Sequence, residues 1–346
     1  GPDKTVYYEG LDSYENEIWC DATGMVLEVT FDDGSKETIT VDEYSYVDMY
    51  VVDYVIGEND PFGGEIENGR FYARGAIDDK GPAMAALYAM RAGKHAFVEV
   101  PSAFTVEECW ELVETSEKTR MNCMQLENCC YGEEELLALN LCKLGMLGEL
   151  VHGEGAYIHD RRWQIFNDAQ WERWRNHWNE KHAGNYYSTH GLGPICMDMG
   201  INRGDRMDYL VSLENGPKNV NYEVFKRECL DASDPRKNDP PAEMGDMNTT
   251  LIKTVRGKSI MVQHDVSSPR PYSRINLVQG SKGCFADYPP RLAITKRSGT
   301  HAGWMGEKAF AEARKKYMHP LWKQVGQAAK TLGGHGGMDF IMDLRW

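Results

Sequence analysis

The chain has 346 residues, 42 % of them hydrophobic, and a formal net charge of −15. That length accommodates two ordinary domains with full cores, and the acidity argues against a nucleic-acid binder, because phosphate recognition needs a basic face. No run approaches the ~18 apolar residues of a membrane span, and the N-terminus lacks the charged and apolar stretches of a secretory signal.

Gly1-Pro2 has the form of a protease-cleavage scar, which leaves open an export signal ahead of it. Residues 25–31 and 35–41 flank Asp32-Asp33-Gly34 and are expected to form a β-hairpin. A further β-rich run occupies 48–55. This pattern belongs to an antiparallel sheet and not to a nucleotide-binding βαβ unit. A short strand is expected over 95–100, ending at Pro101. Thr105 and Glu108 are spaced as a capping box. Val106, Cys109, Trp110 and Val113 then recur at helical spacing, so an amphipathic helix should run to about Glu117. A second buried strand over 121–126 and a second helix over 133–144 complete two βα units. At that spacing they imply a parallel sheet with helices packed on it.

From Glu149 the character changes. Strands are expected over 150–158, 207–213, 249–255 and 259–264, the last two joined by a tight turn at Arg256-Gly257-Lys258. Shorter strands follow over 275–278 and 284–286. Residues 230–246, rich in Pro, Asp and Asn, read as a surface loop. Trp171, Trp174 and Trp178 lie at helical spacing and read as packing residues. The second half is an α+β domain with a largely antiparallel sheet. There is no internal repeat.

The nine cysteines are an odd number with no CxxC pair, which disfavours a disulfide framework and a structural zinc. They read as small buried hydrophobes. No metal is expected.

Several motifs carry a resemblance. Glu99-Val100-Pro101 looks like the Glu-x-Pro strand end of the Gfo/Idh/MocA oxidoreductase superfamily, where the proline turns the chain beside the nicotinamide. Sugar dehydrogenases of that superfamily carry Glu-Lys-Pro, and Val100 replaces the lysine here. Met124-Gln-Leu-Glu-Asn-Cys-Cys-Tyr131, Gly155-Ala-Tyr-Ile-His-Asp160, Trp174-Arg-Asn-His177, Asn185-Tyr-Tyr-Ser-Thr-His-Gly-Leu-Gly-Pro194 and Ile201-Asn-Arg-Gly-Asp-Arg206 follow. His264-Asp265, Pro269-Arg-Pro-Tyr272 and Gly334-His-Gly-Gly-Met-Asp339 complete the set. Together they resemble the NAD-dependent α-N-acetylgalactosaminidases of glycoside hydrolase family 109, with Ser188 standing where that family has proline.

The resemblance implies a Rossmann-like nucleotide-binding domain followed by a mostly antiparallel substrate domain, an α/β plus α+β chain. Residues 1–148 would be an incomplete nucleotide-binding domain with a foreign β-rich insert at about 21–82, and 149–346 the substrate and catalytic domain. It implies NAD as cofactor, with Glu99, Pro101, Glu127, Asn128 and His190 beside it. His190 and Tyr187 would be the acid/base centre, Tyr157 and His159 would assist, and Arg175, Tyr187 and Tyr272 would hold the sugar. The substrate would be a terminal N-acetylgalactosamine glycan, and the compartment that of a bacterial exported or periplasmic enzyme. The sheet domain is the expected surface for any homo-oligomer. A sugar oxidoreductase and an inactive fold remain the alternatives.

Two features depart from that family. No GxGxxG occurs, although the family receives the pyrophosphate on such a loop. Lys4 to Glu15 looks like a segment leading into a later helix of the nucleotide domain, so the first βαβ unit would be missing, and the C-terminal tail would be shortened after Trp346. In addition, Asn68-Gly-Arg-Phe-Tyr-Ala-Arg-Gly-Ala-Ile-Asp-Asp-Lys-Gly81 resembles the motif of carnosinase-type dizinc dipeptidases, with Asp78 at the bridging position. Val51-Val-Asp53 stands where His-x-Asp is needed, so the zinc set is incomplete. The chain reads as two families joined at a shared helix.

Overall fold

The computed structural model describes strand residues 26–30, 36–40, 65–67 and 70–72, and the chain from 86 onward except 88, 167–177, 217–218, 296–300, 333 and 346. It divides into two compact units, residues 1–96 with 105–123, and 97–104 with 124–346.

In the first unit, β1 (Val26–Thr30) pairs antiparallel with β2 (Lys36–Thr40), the hairpin expected around Asp32-Asp33-Gly34. A second antiparallel pair joins β3 (Glu65–Glu67) and β4 (Arg70–Tyr72). The run at 48–55 and the peptidase-like Asp53 and Asp78 lie outside the described residues. Helix α1 (Val106–Thr119) has both halves of its capping box: Glu108 N donates to Thr105 Oγ1 (3.1 Å), and Thr105 N to Glu108 Oε2 (3.0 Å). It stops at Arg120, whose left-handed φ of 58° breaks the helical repeat. The packed face differs from the expected one. Leu112 and Thr115 are buried, whereas Val106, Trp110 and Val113 are exposed. Apolar spacing gives the angle of a stripe but cannot supply the surface that covers it.

Strands β5 (Ala96–Val98) and β6 (Cys123–Gln125) pair, each shorter than expected. The second unit continues with a 3-10 turn over Asn128–Tyr131 and then α2 (Glu133–Lys143), β7 (Leu150–Ile158), α3 (Arg162–Ile165), α4 (Thr189–Met199) and β8 (Met207–Glu214). After α5 (Val220–Cys229) come β9 (Asn248–Thr254), β10 (Ser259–Asp265), β11 (Leu277–Gly280), β12 (Gly283–Ala286) and β13 (Arg291–Ile294). Helices α6 (Glu307–Tyr317), α7 (Pro320–Leu332) and α8 (Met338–Leu344) end the chain.

The seven-stranded sheet has the order β13-β12-β11-β7-β10-β9-β8, and every pairing is antiparallel except β7 with β10. The β9–β10 turn carries Gly257 at φ 85°, as the Arg-Gly-Lys signal requires. Strand β11 starts later than expected because Ile275 and Asn276 adopt positive φ (61° and 46°), which a ladder does not accommodate. Apart from a 3-10 turn at Pro235–Asn238, residues 230–246 carry no helix or strand, but the segment is not wholly a surface loop: Ala242, Met244 and Asp246 are buried, the first two in the core beside Tyr157 and Tyr187.

One core lies between α2, the C-terminal helices and β11–β13, where Leu136, Leu141, Leu147, Phe285, Trp322 and Ile341 are buried. Each such side chain contributes about 2 kcal/mol on removal from water. A second core packs Ile195 and Met199 of α4 onto Ile252, Ile260 and Val262 of the sheet. All eight described cysteines are free; Cys129 and Cys130 are buried as expected, but Cys109 and Cys229 are exposed. Among the described residues no helix is long and apolar enough to cross a membrane.

Candidate active site

The site forms where strand ends and one helix start meet in the second unit. Tyr157 is the penultimate residue of β7, and His159 lies just past its end. Because β10 runs parallel to β7, His264 sits beside Tyr157 in register, and both strands end on the same edge. Helix α4 begins at Thr189 and brings Tyr187 and His190 to that edge.

Two glycines make this approach possible. A Cβ on Gly155 would stand 2.2 Å from Gly191 O, and one on Gly191 would stand 2.3 Å from Ala156 N. Strand and helix therefore touch backbone to backbone, and any larger residue would force them apart. Gly193 does the same for the neighbouring loop, since its Cβ would lie 2.9 Å from Glu127 Cγ and 3.0 Å from Cys130 Sγ.

The rings converge on Tyr157, which is 4 % exposed. Its centroid lies 4.9 Å from Tyr187, 5.3 Å from His190, 6.1 Å from His159 and 6.3 Å from Tyr272. Tyr187 meets His190 edge-on at 4.8 Å, and His159 meets Tyr272 at 5.1 Å. All four expected acid/base residues and Tyr272 thus share one cluster. Arg175 lies outside the described residues.

Glu127 Oε1 lies 2.7 Å from His190 Nδ1 and also accepts from Cys129 N at 3.0 Å. Burial raises the cost of its charge, but the bonds from His190 and the Cys129 backbone outweigh that and hold the carboxyl below its ordinary pKa. An ionised Glu127 only accepts, so His190 donates from Nδ1 and keeps Nε2 free for proton transfer. Glu127 Oε2 is buried without a hydrogen-bond partner among the described residues, as is Asn128 Oδ1.

Asn128 Nδ2 donates to Asp339 Oδ1 (2.7 Å), and Asp339 Oδ2 is 2.7 Å from His335 Nδ1. The C-terminal Gly-His-Gly-Gly-Met-Asp segment therefore pins the loop that carries Glu127. Burial opposes ionisation of Asp339, yet the His335 bond holds its carboxyl low, and the same bond raises His335. The Val100–Pro101 peptide is cis; Pro101 is buried, and Val100 packs against the Tyr157 and Tyr187 cluster. Glu99 is exposed, and its charge reaches His335. Of the expected cofactor residues, Glu127 and His190 are bonded directly, and Asn128 is tied to the C-terminal segment through Asp339.

Two arginines in the site were not foreseen. Arg161 Nη1 lies 3.0 Å from Tyr157 Oη and 3.3 Å from His159 Nδ1. Arg274 donates to Tyr272 Oη (2.8 Å) and is paired with the buried Glu135. Burial raises the Tyr272 hydroxyl above its ordinary pKa despite that arginine. Both arginines follow a flagged residue by two positions, and on extended chain such residues share a side. That alternation was the available signal.

Glu127, Cys129 and His190 are the described residues close enough to share a metal ion. Burial pushes the Cys129 thiol well above its ordinary range. The arrangement is that of a hydrogen-bonded carboxylate–imidazole pair.

The family model for the glycosyl hydrolase 109 C-terminal domain matches residues 131–346, and that for the peptidase family M20/M25/M40 matches 45–109. A glycosyl hydrolase family 109 protein of Shewanella pealeana is 51 % identical over 258 residues, covering 74 % of this chain and 56 % of the relative. Glycosyl hydrolase family 109 protein 2 of Shewanella sp. (strain ANA-3) is 52 % identical over 259 residues, with the same coverage. The chain therefore spans little more than half the length of these relatives.

In fold, it is similar to an NAD-binding oxidoreductase from Klebsiella pneumoniae (TM-score 0.52, 15 % identity, 76 % of this chain and 65 % of the other). A levoglucosan dehydrogenase solved with NADH and levoglucosan gives a TM-score of 0.51 at 17 % identity, covering 75 % and 65 %. The fold is that of NAD-binding oxidoreductases, and with a family model matching well over half its length the chain belongs to the glycosyl hydrolase 109 family.

Proposed function

We propose that this chain carries the catalytic half of an NAD-dependent glycosidase that releases terminal α-linked N-acetylgalactosamine by oxidation, elimination, addition and reduction. The observation that carries the reading is the cluster itself. Tyr157, His159, Tyr187 and His190 pack ring against ring, and the buried carboxylate of Glu127 is bonded to His190. Ordinary glycosidases place two carboxylates across the bond, whereas NAD-dependent families do not.

The residues present fit the nicotinamide end of the cofactor. The buried acceptors Glu127 Oε2 and Asn128 Oδ1 stand just beyond a strand end, where ribose hydroxyl donors would satisfy them. Glu99, Pro101 and His190 complete the expected cofactor set. No glycine-rich pyrophosphate loop occurs in these 346 residues. When bound, NAD supplies reversible hydride transfer at sugar C3, which acidifies the C2 proton.

The protein's own part is proton movement. His190 Nε2 or the Tyr187 hydroxyl takes the C2 proton, and the same groups protonate the departing glycosidic oxygen and later restore C2. Glu127 orients His190 through Nδ1. Tyr157 and His159 assist, Tyr272 orients the sugar, and Arg175 is assigned the same role by its place in the family motif. Val100, in place of a lysine, favours this chemistry over net oxidation.

Denaturing the purified protein and assaying released nucleotide tests the cofactor. A chromogenic α-N-acetylgalactosaminide should then be cleaved with no net NADH. Accumulating NADH would instead indicate a sugar oxidoreductase, and absence of NAD binding at excess cofactor would end the catalytic reading. We also propose self-association through the sheet, whose edge strand β8 exposes Tyr209, Val211 and Leu213. Sedimentation would test it. Export to a bacterial periplasm is proposed on family grounds alone.

A further inference from the structure

We propose that Arg161 is a positioning residue that fixes which atoms of Tyr157 and His159 keep their lone pairs. The inference rests on the glycosidase reading for its use, but its geometry stands apart from it.

Arg161 follows β7 in the stretch His159-Asp-Arg-Arg162. The two arginines divide their work. Arg162 grips Asp160 with Nε at 2.8 Å and Nη2 at 2.7 Å. Arg161, 8 % exposed, is anchored by its own N–H to Val266 O (3.0 Å) and turns its guanidinium inward. The neighbouring carboxylate is thus already engaged, and Nη1 of Arg161 reaches Tyr157 Oη and His159 Nδ1 together.

A guanidinium has donors and no acceptor. Both atoms it meets must therefore present lone pairs. His159 accordingly carries its ring proton on Nε2, since a proton on Nδ1 would set two donors against each other. Tyr157 accepts at its oxygen and must direct its own O–H away from Arg161. The proton that Tyr157 can lose or receive thus lies on the side away from the arginine, and the ring neighbours around it are Tyr187, His190, Tyr272, His159 and His264. Arg161 acts on the chemistry through these two side chains.

The test uses the full chain labelled with 15N, without sugar or nucleotide. Long-range imidazole spectra identify the tautomer of His159, assigned with His159→Gln. Nδ1 should be unprotonated in the wild type. Arg161→Met should give a shifted, mixed tautomer signal, and Arg161→Lys, still a pure donor, should restore the wild-type pattern. A proton on His159 Nδ1 in the wild type, or an unchanged signal in Arg161→Met, overturns the proposal. Should Arg161→Met fail to fold, the wild-type and Arg161→Lys spectra decide it alone.

Where turnover is measurable, Arg161→Met should lower kcat about 100-fold with KM changed by no more than roughly threefold. A loss confined to KM would make Arg161 a substrate contact and overturn the proposal. The expected tautomer in a protein that never cleaves the glycoside would leave this inference standing and sink the glycosidase reading.

Discussion

Strands β7 and β8 lie in one sheet and both carry runs of apolar residues, yet their surroundings are opposite. β7 is flanked by β10 and β11 and lies against α4, and its residues from Gly155 to Ile158 are buried. β8 is the edge strand. Tyr209, Leu210, Val211 and Leu213 on it are 57 to 75 % exposed, and both faces are open among the described residues. Two glycines at the β7–α4 contact therefore matter more to the site than four large hydrophobes on β8. Sheet position, not side-chain character, decided which strand could hold chemistry, and an open apolar edge is instead a template for association.

Disrupting the close contact should have the largest effect. Gly191→Ala places a methyl against the Ala156 backbone, which cannot yield as a side-chain tip could. It should cost about 3 kcal/mol, read from urea midpoints. Gly303→Ala, whose Cβ meets nothing within 4 Å, is the control. Equal midpoints for the two variants would refute the backbone-contact account.

Next comes the carboxylate that α4 brings into play. Glu127→Gln should cost about 2 kcal/mol at neutral pH, through loss of charge-assisted bonds. The carboxyl is held low in the fold, so its stabilisation is complete above the unfolded pKa and is lost as pH falls through the folded value. Wild type and variant should therefore converge in acid, below about pH 4. A gap that persists there would mean that shape and not charge is at stake.

Asp198, on the same helix, should behave in the opposite sense. It is buried, neither oxygen has a hydrogen-bond partner among the described residues, and burial pushes its carboxyl well above the ordinary range. The folded form holds the proton that the unfolded chain releases, so the penalty grows as pH rises above about 4. Asp198→Asn should raise stability at pH 7 by about 1 kcal/mol, and the gain should vanish in acid. A variant less stable at neutral pH would show that Asp198 has a ligand or partner that it satisfies.

The smallest effect belongs to β8. Val211→Glu with Leu213→Lys should change monomer stability by less than about 0.5 kcal/mol. The double variant should nevertheless shift any oligomer to lower mass in sedimentation. A large loss of stability instead would mean that β8 is part of a core.

Much of this could be read from the chain. The capping box of α1 and most strands of the second unit follow from residue spacing. The motifs around Glu127, Tyr157, Tyr187 and His190 single out side chains that the fold brings into one cluster, because each couples such residues to glycines or strand ends. The exposed face of α1 and the contact made by Asp339 were not legible. They depend on what another element presents, and Asp339 meets Asn128 across 211 positions of sequence.

By itself, then, the sequence determined local periods, caps and turns, and the presence of a His- and Tyr-rich set suited to proton transfer. Only the tertiary structure decided that Gly155 meets Gly191 and that Glu127 bonds to His190. Local preferences act over a few residues, whereas these pairings depend on how strand and helix backbones pack, which no single segment encodes.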